Sequence, residues 1–191
     1  PNTVDGDFFT KPETWSIENT NVIKLEFNIP IDSKIIIQVG TINENKGVLE
    51  ILSFWNKLTN KENYHLVFVG EGFIKDRLIE ETKNDDTIHF LGNQSKEKVR
   101  ELLFASDIFL LLTKNDANPL TLIEASFAKL PIITTRFAGN CNEIIVSNNG
   151  IVMNDINFDT FENAFEKCRL QAVEIQGEIS FQNVVENFDI N

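Results

Sequence analysis

Short apolar runs alternate with amphipathic segments along most of this chain. The apolar runs have the length of strands buried on both faces, and the amphipathic segments repeat apolar residues at helical spacing. Six strands are predicted, over 34–39, 64–69, 87–91, 108–113, 131–135 and 150–153. Strands and helices that alternate with short connections predict a three-layer, doubly wound α/β domain with a parallel, Rossmann-like sheet.

Helices are predicted between the strands and at both ends of the chain. Residues 1–33 are expected to form an N-terminal segment with one helix over 17–27, and 174–191 a C-terminal helical segment. The other helices are predicted over 47–58, 73–83, 95–105, 119–130, 142–146, 158–173 and 180–188. The whole chain, 1–191, is therefore interpreted as a single domain.

The stretch from Asp116 to Glu124 follows an apolar run and begins a predicted helix. Pro119 fits the first turn of this helix, where its missing N–H group costs no hydrogen bond. Free backbone N–H groups at such a helix start suit a phosphate, and the two flanking carboxylates suit hydroxyl groups. A sugar diphosphate has both features. Asp116 can equally cap the helix and Glu124 can be a solvated surface residue, so the stretch alone leaves both interpretations open.

The position of this stretch in the predicted sheet favours a binding site. Ligands of open parallel sheets bind outside the carboxyl ends of the strands, near the point where the strand order reverses. Three loops are predicted to meet there, at 40–46, 92–95 and 113–118. Gly40 lets the backbone approach a ligand closely, and Lys46 can offer its ammonium group to a diphosphate. A helix-initiating loop with a solvated lysine is the alternative for the first of these loops.

The other motifs indicate no catalytic chemistry of their own. Gly70-Glu71-Gly72 lacks the third glycine of a dinucleotide fingerprint, where Lys75 stands, so a plain turn is favoured. The two histidines, His65 and His89, fall in predicted strands without further metal ligands at a useful spacing, and they are interpreted as structural. Residues 136–143 can complete a pocket wall or form an ordinary loop.

Composition narrows the range of partners. The formal net charge of −12 over 191 residues argues against nucleic acid or an anionic membrane surface as a general partner. The two cysteines, Cys141 and Cys168, are too few for a disulfide framework and are expected to be reduced. Reduced thiols fit a cytoplasmic location, which is therefore predicted. No membrane span or signal peptide is visible. The chain begins at Pro1 without Met, which indicates an excised piece of a longer protein.

In this order and spacing, the motifs resemble those of a known family. The chain is similar to the C-terminal, donor-binding half of GT-B fold retaining glycosyltransferases of the large group-one family, which is family four in the carbohydrate classification. Its Asp116–Glu124 stretch is similar to the family's E-x7-E motif. Residues 1–5 are similar to the family's PNGVD, 39–40 with 46–47 to its VGR…KG, and 69–72 to its VGDG. Residues 90–92 are similar to its FLG, 130–131 to the end of its EAMAxGLPV, and 149–152 to its NGLLV.

The resemblance implies a role for each matching residue. Asp116 would be the catalytic-site residue that hydrogen-bonds the transferred sugar, and Glu124 would bind the ribose. The diphosphate of a UDP- or GDP-sugar would meet Lys46 and the start of the helix, and the base would lie at the 92–93 loop. The residues expected to bind the donor are Gly40, Thr41, Lys46, Asn93, Lys98, Pro119, Leu120, Thr121 and Glu124.

The sequence also departs from the family pattern. Asp116 stands where the family has Glu, which shortens the reach towards the sugar by one methylene group. Thr41 stands where an Arg usually joins the Lys at the diphosphate, so one charge-assisted contact is missing. Lys129 occupies the position of the glycine that usually ends the helix, where a left-handed residue is expected.

The sequence is consistent with three functions. The first is the donor-binding half of a glycosyltransferase that moves a hexosyl unit to a glycan or glycolipid, inactive without an N-terminal acceptor domain that this chain lacks. This first function implies no metal or other cofactor and no nucleic-acid partner. It implies contact with a membrane only at the membrane's periphery, through the missing half. The alternatives are a degenerate, non-catalytic donor-like domain with an interaction role, and a sugar-nucleotide epimerase of the same fold.

Overall fold

The computed structural model describes residues 4–146, 148–170 and 173–188, which form a parallel sheet between two layers of helices. Its six strands are β1 (Lys34–Val39), β2 (Tyr64–Val69), β3 (Ile88–Phe90), β4 (Ile108–Leu111), β5 (Ile132–Thr135) and β6 (Gly150–Met153). They lie in the order β3-β2-β1-β4-β5-β6, all parallel. The predicted doubly wound α/β fold is confirmed, and its strand order reverses between β1 and β4.

Helices in the described part of the chain follow the predicted alternation. They are α1 (Gly6–Phe9), α2 (Ile17–Glu26), α3 (Val48–Lys57), α4 (Lys75–Thr82), α5 (Lys96–Phe104), α6 (Leu120–Phe127), α7 (Cys141–Ile144), α8 (Phe158–Leu170) and α9 (Val173–Phe188), with a short 3-10 turn at Glu44–Lys46. Parallel strands with these crossovers bring all strand ends to one edge and all helix starts beside them. This arrangement places the candidate loops together.

Two apolar clusters fill the space on either side of the sheet. One contains Phe109 and Phe127 and joins the sheet to α5, α6 and α9. The other contains Trp55 and Phe165 and joins the opposite face to α3 and α8. The central strands read as near-continuous apolar runs because both of their faces are buried, as in Ile35, Ile36 and Ile37 of β1.

The structure differs from the sequence prediction at several element boundaries. The short helix α1 was not predicted, and α9 begins at Val173 rather than at residue 180. Pro119 precedes α6 with an extended ψ of 102° instead of lying in its first turn. Lys129 has a φ of 60°, which confirms the left-handed residue expected after this helix. The predicted segments also cover 1–3, 171–172 and 189–191, which lie outside the described residues.

None of the described helices combines the length and the apolar character that a membrane span requires.

Candidate functional site

Hydrogen bonds join the loops that follow β1 and β4 at the switch point of the sheet. The backbone oxygen of Asn45 accepts from Lys114 N at 2.8 Å and from Thr113 Oγ1 at 3.1 Å. The side-chain amide of Asn45 donates to the oxygen of Asn115 at 2.7 Å. Sequence reasoning gave Asn45 no role, because its partners lie about seventy residues away. The predicted meeting of these two loops is thus present in the fold.

Gly47 allows the two loops to come this close. Its φ is 71°, in the left-handed region, and a Cβ atom there would lie 2.0 Å from the backbone oxygen of Leu112. Both observations require glycine at this position. The start of α3, and with it the Lys46 side chain, is therefore held against the end of β4.

Lys46 and Asp116 form an ion pair at the carboxyl edge of the sheet. The Lys46 ammonium contacts Asp116 Oδ2, and the two side chains are 20% and 19% exposed. The other carboxylate oxygen, Oδ1, accepts from Asn118 N at 3.3 Å. The residues that the sequence assigned to the diphosphate and to the sugar therefore touch each other. An ammonium group has three donors, so this contact leaves Lys46 able to bind an anion as well.

The start of α6 presents free backbone donors beside this ion pair. Among the described residues, no acceptor takes the N–H groups of Leu120 or Thr121, and no side chain caps the helix. Pro119, which has no N–H group, precedes them. Unpaired donors at a helix start attract anions, and the partial positive charge of the helix adds to this attraction. The helix start that the sequence predicted to bind a phosphate thus has backbone N–H groups without an acceptor among the described residues.

Glu124 lies one turn into α6 and is half-buried. Burial raises the pKa of its carboxyl group, and the nearby Lys96 opposes this shift. In the described part of the chain, no hydrogen-bond donor contacts the Glu124 carboxylate. A half-buried carboxylate without a protein donor carries part of the cost of desolvation, and its oxygens are accessible to ligand hydroxyl groups.

A cavity of about 430 Å³ lies beside these groups, between the loops after β1, β2 and β3. It is lined by Val39, Gly40, Thr41, Val69, Gly70, Glu71, Asn93, Gln94 and Val99. Three predicted donor-binding residues, Gly40, Thr41 and Asn93, thus share one wall. The loops pack closely here, because a Cβ atom on Gly70 would lie 2.1 Å from the oxygen of Gly40.

Lys98, which was predicted to help bind the base, is not among the residues that line this cavity. Its ammonium group lies 2.8 Å from a carboxylate oxygen of Glu26 and 2.8 Å from one of Glu101. The hydrogen bonds that Lys98 donates to Glu101 and Glu26 raise its pKa. Base binding by Lys98 stays a prediction, and the observed contacts link α5 to α2 instead.

Residues 137–140 hold the Asp116 loop in place. Asp116 N donates to the oxygen of Phe137 at 3.1 Å, and Gly139 N donates to the oxygen of Asp116 at 2.8 Å. The buried Asn140 side chain donates to Asn118 Oδ1 at 2.8 Å. Sequence reasoning left this segment, through Gly139 and the following helix start, as a pocket wall or an ordinary loop and gave Asn140 no role. The polar side chain directly after Gly139 is the only signal the sequence offered.

The two histidines lie within strands β2 and β3 rather than in the loops at this edge. His65 Nδ1 and His89 Nε2 are 2.8 Å apart on neighbouring strands, with their rings stacked. Cys141 and Cys168 are free and buried, and burial raises the pKa of Cys168 to about 12. Within the described ranges, no group of three or more His, Cys, Asp or Glu side chains is placed to hold a metal ion.

The model of the family described as glycosyl transferases group 1 matches residues 20–176, which is most of the chain. The chain belongs to this family. A curated relative, the N-acetyl-alpha-D-glucosaminyl L-malate synthase of Bacillus anthracis, is 32% identical over 120 residues, which are 61% of this chain and 31% of that protein. The putative teichuronic acid biosynthesis glycosyltransferase TuaC of Bacillus subtilis is 28% identical over 64% of this chain and 30% of its own length.

Solved structures of other proteins confirm the fold that the family predicts. The C-terminal domain of a glycosyl transferase group 1 family protein, LpcC from Francisella tularensis, superposes with a TM-score of 0.81 at 21% identity, covering 98% of this chain and all of that domain. The chain spans about a third of the length of these curated relatives. The group 1 resemblance and the GT-B fold inferred from the sequence are therefore confirmed.

Proposed function

We propose that this chain is the donor-binding part of a retaining glycosyltransferase that moves a hexosyl unit from a nucleoside-diphosphate sugar to a glycan or glycolipid acceptor. One observation carries the proposal: the Lys46–Asp116 ion pair precedes an uncapped helix start that has a half-buried carboxylate without a hydrogen-bond donor one turn further on. The cation and the free N–H groups match the diphosphate of such a donor. The carboxylate oxygens match the hydroxyl groups of its ribose and its sugar.

Each group has a distinct task in this proposal. The Lys46 ammonium and the N–H groups of Leu120 and Thr121 neutralise the diphosphate, whose charge grows as it leaves the sugar. When the donor binds, Asp116 gives up part of its contact with Lys46 and accepts hydrogen bonds from the sugar hydroxyls. Glu124 accepts hydrogen bonds from the ribose hydroxyls. The base lies in the 430 Å³ cavity at Gly40 and Asn93.

Relatives lend chemical support. A structure of Anabaena HepE in complex with UDP-glucose has the same fold, with a TM-score of 0.82 at 13% identity, over 98% of this chain and 52% of that chain. The proposal includes a UDP- or GDP-sugar as substrate, no resident metal, and a further acceptor-binding domain as partner. It also includes a cytoplasmic location, which the two buried free thiols support.

Nucleotide titration tests the proposal directly. The chain should bind UDP or GDP more tightly than uridine or guanosine, with the same affinity in EDTA as in Mg²⁺. Lys46→Gln should weaken diphosphate binding by about 1.5–3 kcal/mol, the range for hydrogen bonds to charged groups. It should leave nucleoside binding unchanged, and Lys57→Gln, on the far end of α3, should change neither. The absence of binding by both diphosphates at millimolar concentration would overturn the proposal.

One observation favours a non-catalytic, donor-like domain as the second candidate. Thr41 is exposed, and none of the residues that line the 430 Å³ cavity is cationic. A degenerate domain would bind nucleoside and nucleoside diphosphate equally weakly. The same titration therefore separates the two candidates.

A further inference from the structure

A second and larger cavity, of about 710 Å³, lies at the opposite edge of the sheet. Lys34, the first residue of β1, and Asp107, just before β4, lie in its lining. The six residues of β1 separate it from the carboxyl edge, which corresponds to roughly 17–20 Å at the usual rise of a strand. The cavity is therefore distinct from the nucleotide-sugar site.

The charges in this cavity oppose those of the whole molecule. Its lining contains five cationic side chains, which are Lys11, Lys24, Lys34, Lys129 and Arg169. Among the described residues, the carboxylates in the lining are those of Asp107 and Glu178. Because the chain carries a net charge of −12, such a local excess of positive charge marks a place where anions are concentrated.

Two of the five cations have structural partners inside the fold. Lys24 is buried and donates to the backbone oxygens of Ile31 at 3.0 Å and of Ser33 at 2.5 Å. Lys11 donates to the oxygen of Phe104 at 2.6 Å, at the end of α5. Helix ends gather at this edge, and such contacts satisfy their last carbonyl groups. These two lysines are accounted for without a ligand, although burial lowers the pKa of Lys11, so a nearby anion would stabilise its charge.

The other three cations are available to a ligand. Lys34 is exposed, and its ammonium lies 5.6 Å from the centre of the Tyr64 ring rather than on a carboxylate. Lys129 and Arg169 pair with Glu178 and Glu166, each at 2.6 Å, in ion pairs that reach the surface. The Lys129–Glu178 pair is of the partly exposed kind that contributes little to stability, so a multivalent anion can recruit its cation at small cost. Arg169 binds Glu166 through two hydrogen bonds, from Nε and Nη2, which leaves further N–H donors of its guanidinium group for an anion.

We propose that this basic cavity binds a phosphate-bearing anion through Lys34, Lys129 and Arg169. The ligand class is a phosphomonoester or diphosphate group, whose oxygens accept from several ammonium and guanidinium donors at once. Ile17, in the lining, and Leu170, next to Arg169, are 63% and 73% exposed. The phosphate group thus belongs either to a soluble phosphate ester or to a lipid headgroup whose chains meet these apolar side chains.

Pyrophosphate titration of the chain tests the site. The triple variant Lys34→Gln, Lys129→Gln and Arg169→Gln should lower pyrophosphate affinity at least tenfold and reduce its salt dependence. The matched control removes three distant, exposed cations, by Lys57→Gln, Arg77→Gln and Lys83→Gln, and should keep the affinity within twofold. Lys46→Gln, at the carboxyl edge, should leave pyrophosphate binding to the basic cavity intact.

The outcomes separate this site from the nucleotide-sugar site. Equal affinity of the triple variant and the matched control, or loss of all pyrophosphate binding in Lys46→Gln, would overturn the proposal. The single variant Lys34→Glu repeats the test if the triple variant melts early, because Lys34 is exposed. Sedimentation with phosphatidylcholine vesicles, with and without phosphatidic acid, identifies the source. Binding to the acidic vesicles that the triple variant loses indicates a lipid headgroup, and pyrophosphate binding without vesicle binding indicates a soluble ester.

Discussion

Glu124 is the residue at which stability and binding oppose each other most directly. Burial raises the pKa of its carboxyl group above the unfolded value, so folding is favoured by protonation. The stability that this group contributes falls as the pH rises through the unfolded value towards the folded one. Above that window the cost of a partly desolvated charge without a donor remains. Such a cost is typical of residues that are placed for a ligand rather than for the fold.

Replacing Glu124 by Gln should therefore raise the melting temperature of the free chain at pH 7 and weaken its binding of a nucleoside diphosphate. The amide avoids the cost of the buried charge and accepts ribose hydroxyls less strongly than a carboxylate does. Thermal melts with and without UDP or GDP measure both effects. Glu101→Gln, at the end of α5, is the control. A lower melting temperature for the Glu124 variant would contradict the burial argument.

Asn140 is the second residue whose contacts make a sharp prediction. Its buried amide donates to Asn118 Oδ1 and to the oxygen of Pro119, so it fixes the loop that carries Asp116. Asn140→Asp removes these donors and sets a carboxylate against two oxygens. We expect a loss of roughly 1–3 kcal/mol in the free energy of unfolding, measured with urea, together with weaker diphosphate binding. Asn142→Asp, at an exposed neighbouring position, should be close to neutral. Unchanged stability of the Asn140 variant would show that the Asp116 loop does not depend on the hydrogen bonds of Asn140.

Single residues also show where sequence reasoning reaches its limit. Lys46 and Asp116 were predicted to share a site because both follow strands at the carboxyl edge, and they do. Their direct contact, and the support from Asn45 and Asn140, depend on how the loops of separate strands fit together. Neither hydrophobic periodicity nor motif spacing carries that information, since the partners are 22 and 70 residues apart.

At the scale of elements, the neighbouring strands β2 and β3 carry a pair of histidines that responds to pH. Burial lowers the pKa of His65, and burial together with the His65 charge lowers that of His89 to about 4. Asp85 and Asp86 act in the opposite direction, and Lys24 adds to the lowering at His65. The stability contributed by neutral rings is complete above the unfolded pKa of about 6.5 and is lost as the pH falls towards 4.

The chain should therefore lose stability between pH 6.5 and 4.5 more steeply than a variant carrying His65→Gln and His89→Gln. Urea denaturation at several pH values measures the two slopes. The control is the same comparison at pH 7.5 to 8.5, where both histidines are neutral and the slopes should agree. Parallel curves over the whole acidic range would rule out a role for this pair. Since β3 leads into the loop that contains Asn93, its loosening should also weaken nucleotide binding.

Element prediction succeeded where periodicity was strong. All six strands were predicted because each is a short apolar run bounded by turn residues. The start of α9 was missed, since Gly177 and several polar residues interrupt its pattern. The fold explains that glycine: a Cβ atom on Gly177 would lie 2.2 Å from the backbone oxygen of Lys129, where α9 crosses the end of α6. Tertiary contact, not local propensity, determines this helix.

At the scale of the whole molecule, the groups assigned to the donor lie on one edge of the sheet. Lys46, Asp116 and the start of α6 are all partly open on that side, and the 430 Å³ cavity is open as well. Sugar transfer requires that water be excluded and that an acceptor be held in line with the leaving diphosphate. Under the proposed function, the described part of this chain supplies the donor side of such a site.

We therefore expect the isolated chain to bind a nucleoside diphosphate but to transfer and hydrolyse nothing. A coupled assay for nucleoside diphosphate release from UDP-glucose and GDP-mannose measures this, with Lys46→Gln as the background. Wild type and variant should release product at the same slow rate, although their affinities differ. Adding a separately expressed N-terminal portion of the full-length protein should restore release in wild type and much less in the variant, because only then is the diphosphate charge stabilised in a closed site. Release by the chain alone, abolished by Lys46→Gln, would show instead that this domain holds a complete active site.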